Sequence, residues 1–253
     1  MRHTGIISTI SGGGTANPWK DNHPAITASL ALPTGLATDP EGNLLISDSG
    51  HFRVRRLDKA SGFIQAVAGR GGNRHEGDGG PAISANVLNP SALAVDRRGN
   101  IFIVQAEDDR IRKVDARTGI ISSVAGTGSP GFGGDGGPAV NAKLYGPRGV
   151  AVGGEGSLFI LDGLDRRIRR IDAGTGIIST VAGTGAHGLR GNGGPATSAE
   201  MEEPMALVVD PAGNLYFIDL YGRCIRKVDA ATKTITTVFG VKPGLCEPTP
   251  PEP

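Results

Sequence analysis

Two segments, Gly119-Ile-Ile-Ser-Ser-Val-Ala-Gly-Thr-Gly128 and Gly134-Asp-Gly-Gly-Pro-Ala139, decide the fold, because close variants of both recur along the chain at one period. The period is 57 residues, read from the spacing of Pro33, Pro90, Pro147 and Pro204, and again of Asp58, Asp115, Asp172 and Asp229. Four units without insertion or deletion occupy residues 5–61, 62–118, 119–175 and 176–232. A repeat of this length predicts a stacked or radial array in which neighbouring units bury each other's apolar faces.

Composition narrows the class of protein. The 253 residues carry a net charge of +1, which argues against a general attraction to nucleic acid or anionic membrane. The two cysteines exclude a disulfide framework. No stretch is long and apolar enough to span a bilayer, and the first residues lack the apolar run of a secretory signal. The compartment stays open; we expect an exported or cell-surface location if the chain is a fragment of a longer protein.

Each unit reads as four short strands. In the second unit, strand d covers residues 63–68, a glycine-rich connection runs over 69–91, and strands a, b and c cover 92–96, 100–104 and 108–114. Strands bounded by Gly and Asp turns, without a helical period, predict an all-β protein. Strand b is apolar on both faces and strand c is rich in charge, so b should be buried and c should lie further out. Four antiparallel strands graded in this way predict the blade of a β-propeller; a parallel β-helix is the disfavoured alternative.

Antiparallel strands also sort the loops into two faces. We call the face of the tight a–b and c–d turns the short-turn face. The b–c loops and the long d-to-a connections are predicted to share the opposite side, the long-loop face. Long loops often carry function, so binding is expected there.

The repeated segments, together with Pro211-Ala-Gly-Asn-Leu-Tyr-Phe-Ile-Asp219, resemble NHL repeats, in a variety similar to the teneurin propeller. The resemblance covers residues 5–240 and implies a TolB-like propeller, which usually has six blades. It implies a binding platform or scaffold, and less often a lyase or lactonase.

Closure of the ring is the main open question about the fold. The chain has four a–b–c sets but five d strands, predicted at residues 6–10, 63–68, 120–125, 177–182 and 234–239. We therefore predict an incomplete or open ring built from four 57-residue blades, with strand 234–239 as an extra outer strand and a Pro-rich disordered tail at 241–253. A compact four-bladed closed ring is the alternative.

Acidic and aromatic residues in the predicted long loops are the candidate binding residues: Asp48, His51, Asp108, Asp162, Asp165, Asp219, Tyr221 and Trp19. Related propellers hold a metal with acids, Asn or His near the central tunnel, so the acids are also candidates for a metal site. Structural ion pairs between blades, with Arg53, Arg110 and Arg167, are the favoured interpretation.

The glycine-rich connections supply the metal candidates Asp78, Asp135 and Asn192, whose oxygen atoms would suit calcium. Each loop offers one such group, so a structural turn is the favoured interpretation and no cofactor is expected.

The favoured function is a non-catalytic binding or scaffold module whose long-loop face takes a protein or a small polar ligand. A metal-dependent propeller lyase or hydrolase, similar to a lactonase, is the alternative. Nucleic acid is not expected as a partner, because the cationic strands lack stacking aromatics. Further blades or self-association would be needed to close the ring.

Overall fold

The computed structural model describes residues 7–15, 17 and 20–240, so Trp19 and the predicted tail at 241–253 lie outside the described residues. The described part is all-β, with seventeen strands and six short 3-10 helices. No helix within it is both long and apolar enough to cross a membrane.

Four antiparallel sheets form four blades. Blade 1 contains β1 (His23–Pro24), β2 (Pro33–Thr38), β3 (Leu44–Asp48), β4 (Arg53–Leu57) and β5 (Phe63–Ala68). Blade 2 contains β6 (Pro90–Val95), β7 (Ile101–Gln105), β8 (Arg110–Val114) and β9 (Ile121–Ala125). Blade 3 contains β10 (Pro147–Val152), β11 (Leu158–Asp162), β12 (Arg167–Ile171) and β13 (Ile178–Ala182). Blade 4 contains β14 (Pro204–Val209), β15 (Leu215–Asp219), β16 (Cys224–Val228) and β17 (Ile235–Phe239).

Strand order follows the chain within each blade, and β1 adds to the outer edge of blade 1. The 3-10 helices lie in the loops, at Ala25–Thr27, Ser49–His51, Ala82–Ser84, Ala106–Asp108, Ala139–Asn141 and Ala196–Ser198. The a–b turns are tight because Asp and Gly suit them: Asp96 accepts the Asn100 amide at 2.9 Å, and Gly99 has φ of 81°.

The inner strands β2, β6, β10 and β14 lie side by side in that order, and β14 does not meet β2 in the same way. The prediction of a four-bladed open arc is therefore confirmed, and the compact closed ring is wrong. Blades 1 and 4 each have a neighbouring blade on one side only. Leu36 in blade 1 and Phe239 in blade 4 are therefore exposed, whereas the residues at the same repeat positions in the other blades are buried.

Four of the five predicted d strands form, as β5, β9, β13 and β17. The C-terminal strand β17 completes blade 4. The predicted N-terminal strand is not formed, since residues 7–10 belong to no strand and their side chains are exposed. Within the described part of the chain, no strand c lies beside it to supply hydrogen bonds.

The long connections take a different path from the one predicted. The connection after β5 runs along the outer edge of blade 2: the Gly79 amide donates to the Ile121 carbonyl at 2.8 Å. It then reaches the short-turn side, where the Ala82 amide donates to the Gly119 carbonyl at 2.8 Å. The Gly-Asp-Gly-Gly-Pro segments are thus turns that lie against the outer strand of the following blade, with one bridge each such as Pro81 to Ile120, rather than part of the long-loop face.

The core lies mainly between blades. Val54 and Ala68 of blade 1 pack with Ile103 of blade 2, and Ala82 and Val87 of the connection fill the gap between them. Equivalent clusters join blades 2 and 3 and blades 3 and 4. Stability therefore depends on contacts between successive units.

Each blade also buries one arginine on strand c. The four are Arg55, Arg112, Arg169 and Arg226. Each donates from Nη1 to a carbonyl of the connection that crosses its blade; the distances run from 2.6 Å for Arg226 to 3.2 Å for Arg55. Arg169 also donates to the Gly133 carbonyl at 3.1 Å and to the Asp135 carboxylate at 2.5 Å. The arginine fixes the connection onto the sheet.

We expect Arg169→Met to lower the free energy of unfolding by about 3 kcal/mol or more, because it leaves the buried acceptors of the guanidinium without their donor. Arg170→Met is the matched control. Its side chain is one third exposed and pairs with Asp172 at 3.1 Å, so its loss should cost about 1 kcal/mol or less. Urea unfolding measures both, and equal losses would contradict the role given to Arg169.

Candidate functional site

The last residue of each strand b faces inward at the long-loop end. Asp48, Gln105, Asp162 and Asp219 are all fully buried. Asp48 accepts the Ala31 amide at 2.7 Å and Asp162 accepts the Tyr145 amide at 2.6 Å. Gln105 instead donates to the Leu88 carbonyl at 3.2 Å, at the same repeat position. These side chains anchor the backbone that enters strand a.

These acids form their salt bridges with the buried arginine of strand c, although the predicted Arg53 and Arg167 lie opposite Asp48 and Asp162 in the sheet. Asp48 lies 3.6 Å from Arg55, Asp162 lies 3.8 Å from Arg169, and Asp219 lies 3.6 Å from Arg226. Each pair belongs to one blade, so the predicted pairing between blades is wrong for these residues. Arg53 and Arg167 start strand c near the loop, whereas the buried arginine follows two residues later on the same face of the strand.

The second set of acids, Asp108 and Asp165, does pair with predicted arginines. Asp108 contacts Arg110 and Asp165 contacts Arg167, both at 2.7 Å. Arg110 also donates to the Thr127 carbonyl at 2.5 Å. These pairs join the b–c loop to the segment that follows strand d.

Two histidines contact acids of the long-loop end, one from each of the two sets. His51 Nδ1 is 3.0 Å from Asp48, and the His51 side chain is partly exposed. His75 Nδ1 is 2.7 Å from Asp108. His51 thus lies between the buried carboxylate of Asp48 and the solvent.

Asp78, Asp135 and Asn192 hold the edge of the following sheet. Asp78 accepts the Ser123 amide at 2.9 Å and Arg112 Nε at 2.9 Å; Asp135 accepts Thr180 and Arg169 in the same way. Burial disfavours ionisation of Asp78, but hydrogen bonds from Ser123 and Arg112 outweigh it and lower its pKa. Asn192 accepts the Thr237 amide at 2.7 Å. Over residues 7–15, 17 and 20–240, no group of three or more His, Cys, Asp or Glu side chains is arranged to hold a metal ion.

The exposed part of the long-loop face differs between blades. Over blades 3 and 4 it carries Tyr145, Leu164, Leu220 and Tyr221, which are all exposed. Beside them, Arg148 of strand β10 donates to Glu203 at 2.5 Å, which links the two blades. Hydrogen bonds from Arg148 and Tyr221 lower the pKa of Glu203.

We call these six residues the tyrosine cluster. Backbone contacts hold it together: the Leu164 amide donates to the Tyr145 carbonyl at 3.0 Å and the Leu220 amide to the Glu203 carbonyl at 2.9 Å. Sequence analysis selected only Tyr221 of this set. The signal that could have found the others is departure from the repeat, since blade 1 has Ala31, Thr34 and Gly50 where blade 3 has Tyr145, Arg148 and Leu164.

A concave site lies elsewhere. A groove of about 900 Å³ between blades 2 and 3 opens on the short-turn side. Phe102, Val124 and Leu158 line it, and Arg98 and Glu155 stand at its rim. This groove is thus on the face that the sequence did not favour.

The fold defines the class: a β-propeller arc of four repeated blades. A model of the teneurin NHL domain matches residues 128–190, and a model of the NHL repeat matches residues 30–57. Both matches are to NHL repeats, so these two segments of the chain are NHL-type sequence.

Relatives with similar sequences are longer proteins. Protein SUPPRESSOR OF QUENCHING 1, chloroplastic, of Arabidopsis thaliana is 24% identical over 88% of this chain, which spans 22% of that protein. Teneurin-3 of Danio rerio is 30% identical over 85% of this chain, which spans 8% of that protein. NHL repeat-containing protein 2 of Bos taurus is 27% identical over 94% of this chain, which spans 35% of it.

Solved structures agree on the fold. A streptogramin B lyase superposes with a TM-score of 0.57 at 13% identity, covering 88% of this chain and 60% of the lyase. An auxiliary nutrient binding protein from Bacteroides ovatus gives a TM-score of 0.60 at 18% identity, covering 84% of this chain and 50% of that one. At these identities the likeness shows the fold alone.

Asp162 should make stability depend on pH. Burial raises its pKa to about 7 from an ordinary value of 3.8. Because the native pKa is the higher one, protonation stabilises the fold below pH 3.8, and this contribution is lost as the pH rises to about 7. Asp162→Asn stays neutral. Its free energy of unfolding should therefore rise relative to wild type by on the order of 1–4 kcal/mol between pH 4 and pH 8.

Urea unfolding at several pH values measures this difference. Gln105→Asn is the control, since it alters the same repeat position in blade 2 without a titrating group. Its difference from wild type should not vary with pH. A constant difference for Asp162→Asn as well would refute the raised pKa.

Asn192→Asp should stabilise blade 4 by about 1–2 kcal/mol. Arg226 Nε and Nη2 are buried and have no hydrogen-bond partner among residues 7–15, 17 and 20–240, whereas Arg169 donates from the equivalent atoms to Asp135. A carboxylate at position 192 supplies the acceptor that blade 3 already has. The reciprocal variant Asp135→Asn should lose a similar amount, as measured by thermal and urea unfolding. If Asn192→Asp gains no stability and Asp135→Asn loses none, a carboxylate beside the buried arginine does not contribute to stability.

Proposed function

We propose that this chain is a non-catalytic binding module that holds a segment of another protein on the tyrosine cluster of its long-loop face. The observation that supports it is the gathering of exposed aromatic and aliphatic side chains around the Arg148–Glu203 pair at the junction of blades 3 and 4. Exposed apolar side chains that lie together and are bordered by polar residues mark interaction sites, whereas single ones do not.

The composition of the cluster suits a protein partner. Tyrosine and arginine are enriched at the energetic centres of protein interfaces, because each combines a large contact area with directed hydrogen bonds. Tyr221 is 68% exposed, which leaves a large area for contact, and its hydroxyl donates a hydrogen bond to Glu203. The ion pair keeps Arg148 in one position, so part of the ordering cost of binding is met before the partner arrives.

The acids that suggested catalysis are not exposed on the long-loop face, which favours binding over catalysis there. Asp48, Asp162 and Asp219 are fully buried and engaged with backbone amides and arginine. A substrate on the long-loop face would meet the tyrosine cluster rather than these carboxylates. A small ligand would also prefer a concave site, and the described groove opens on the other side.

Selection from a displayed library of random 12-residue peptides tests the proposal, with the purified protein as bait. We expect bound peptides to lose affinity at least tenfold for Tyr221→Ala and for Arg148→Ala, measured by fluorescence anisotropy. The matched control is Tyr216→Ala, which alters the remaining tyrosine of the chain; it lies in blade 4 near Asp210, away from the cluster. Peptides that bind all variants equally, or selection only of peptides lost with Tyr216→Ala, would contradict the proposed site.

A further inference from the structure

Three internal interfaces define how one blade meets the next. We call the side of a blade that packs against the preceding blade its front face, and the opposite side its rear face. On the front face of blades 2, 3 and 4, strand a carries Leu93, Val150 and Leu207, which are 5–7% exposed. Their equivalent in blade 1, Leu36, is 65% exposed. Blade 1 thus has an equivalent apolar residue on its front face, and no described part of the chain covers it.

The rear faces show the same contrast at the other end of the arc. Val54, Ile111 and Ile168 on strand c of blades 1–3 are completely buried by the following blade. Their equivalent in blade 4, Ile225, is exposed, as is Ile218 opposite it on β15. The two exposed faces are the complementary halves of the interface that the chain already uses three times.

The N-terminal segment is an unused copy of strand d. Ile7 corresponds to Ile64, Ile121, Ile178 and Ile235. Those four side chains are 0% exposed, and Ile7 is 96% exposed. The segment nevertheless leads into blade 1 in the usual way: the Gly12 amide donates to the Ala25 carbonyl at 3.1 Å, as Gly69 donates to Ala82 at 3.0 Å. The chain therefore enters blade 1 at Gly12 as it enters blade 2 at Gly69, and residues 7–11 precede this point as residues 64–68 of β5 precede Gly69.

The C-terminal copy of strand d departs from the repeat at the interface position. Ala68, Ala125 and Ala182 are fully buried there between blades, and β17 has Phe239, which is 72% exposed. A phenylalanine does not fit the space that an alanine fills in a close-packed interface. Residue 11, at the same position of the N-terminal copy, is the small Ser11.

We propose that a second copy of this chain docks its blade 1 on the rear face of blade 4, and that its residues 7–11 replace β17 as the outer strand of that blade. The replacement buries Ile7 and removes Phe239 from the interface. It also restores the connectivity of the internal blades, in which each strand d completes one blade and leads into the next. The same exchange at the other end would join two copies through two identical contacts.

The internal register predicts the contacts. Since Lys227 pairs with Thr236 and Val228 with Ile235, residues Ser8 and Ile7 of one copy should lie opposite Lys227 and Val228 of the other. Directly opposite residues in antiparallel strands bring their Cβ atoms within reach of a disulfide.

Disulfide trapping tests this register. Ser8→Cys and Lys227→Cys are made separately in full-length chains that also carry Cys246→Ser, and are mixed under mild oxidation. We expect a disulfide-linked pair containing one chain of each kind. Arg98→Cys, exposed on the short-turn side, replaces Lys227→Cys in the control and should give at least tenfold less product. Equal trapping in both mixtures, or none in either, would overturn the proposal.

Sedimentation velocity on full-length protein measures the association itself. We expect concentration-dependent dimers that Ile7→Asp and Leu36→Asp weaken at least tenfold. Ile26→Asp is the matched control: this isoleucine lies outside both faces, its equivalents Ile83 and Val140 are exposed as well, and its change should leave association unaltered.

Two results would reject a second copy as the occupant. One is that the wild-type protein stays monomeric at about 200 µM, since a specific interface of this kind should have a dissociation constant below that concentration. The other is a dimer that Ile7→Asp and Leu36→Asp leave intact. Ile235→Asp separates strand exchange from simple docking, because it weakens β17 and should strengthen the exchanged dimer; a weaker dimer would contradict exchange.

Discussion

In each blade a buried arginine of strand c binds the connection that crosses the sheet, and the packing between blades follows from this contact. Burying a guanidinium is costly unless carbonyl and carboxylate oxygens surround it. Arg169 obtains them from Lys143 and Gly133 of the crossing connection and from Asp135. Meeting that need brings the connection across the blade, where its small residues fill the space to the preceding blade. The acids near the arginine are therefore part of the same structural arrangement.

The blades join in a line, and each uses its rear face to cover the front of the next. A line of this kind has two ends, and the apolar side chains at both remain exposed: Leu36 at the first and Ile225 at the last. Function and assembly then fall on different parts of the molecule. The end faces carry the contacts that the repeat makes internally, while the tyrosine cluster consists of residues that do not recur.

Much of the fold was predictable because the repeat fixes the turns. Asp and Gly at constant positions end each strand, so strand order and blade number follow from local sequence. The candidate site was less predictable. Arg167 and Arg169 lie two residues apart on one face of a strand, and only packing decides which of them is enclosed. The path of the connection past Asp135 likewise depends on a hydrogen bond to Thr180, 45 residues away.

The period, the all-β blade and the surplus of one outer strand could be read from the amino-acid sequence, because they follow from turn residues and from counting. The choice between the outer strands and the enclosure of particular acids could not. Both depend on contacts between residues distant in the chain. The fourth blade takes β17 because strand c and the C-terminal segment meet there, and Asp48 is buried because Arg55 and the Ala31 amide surround it.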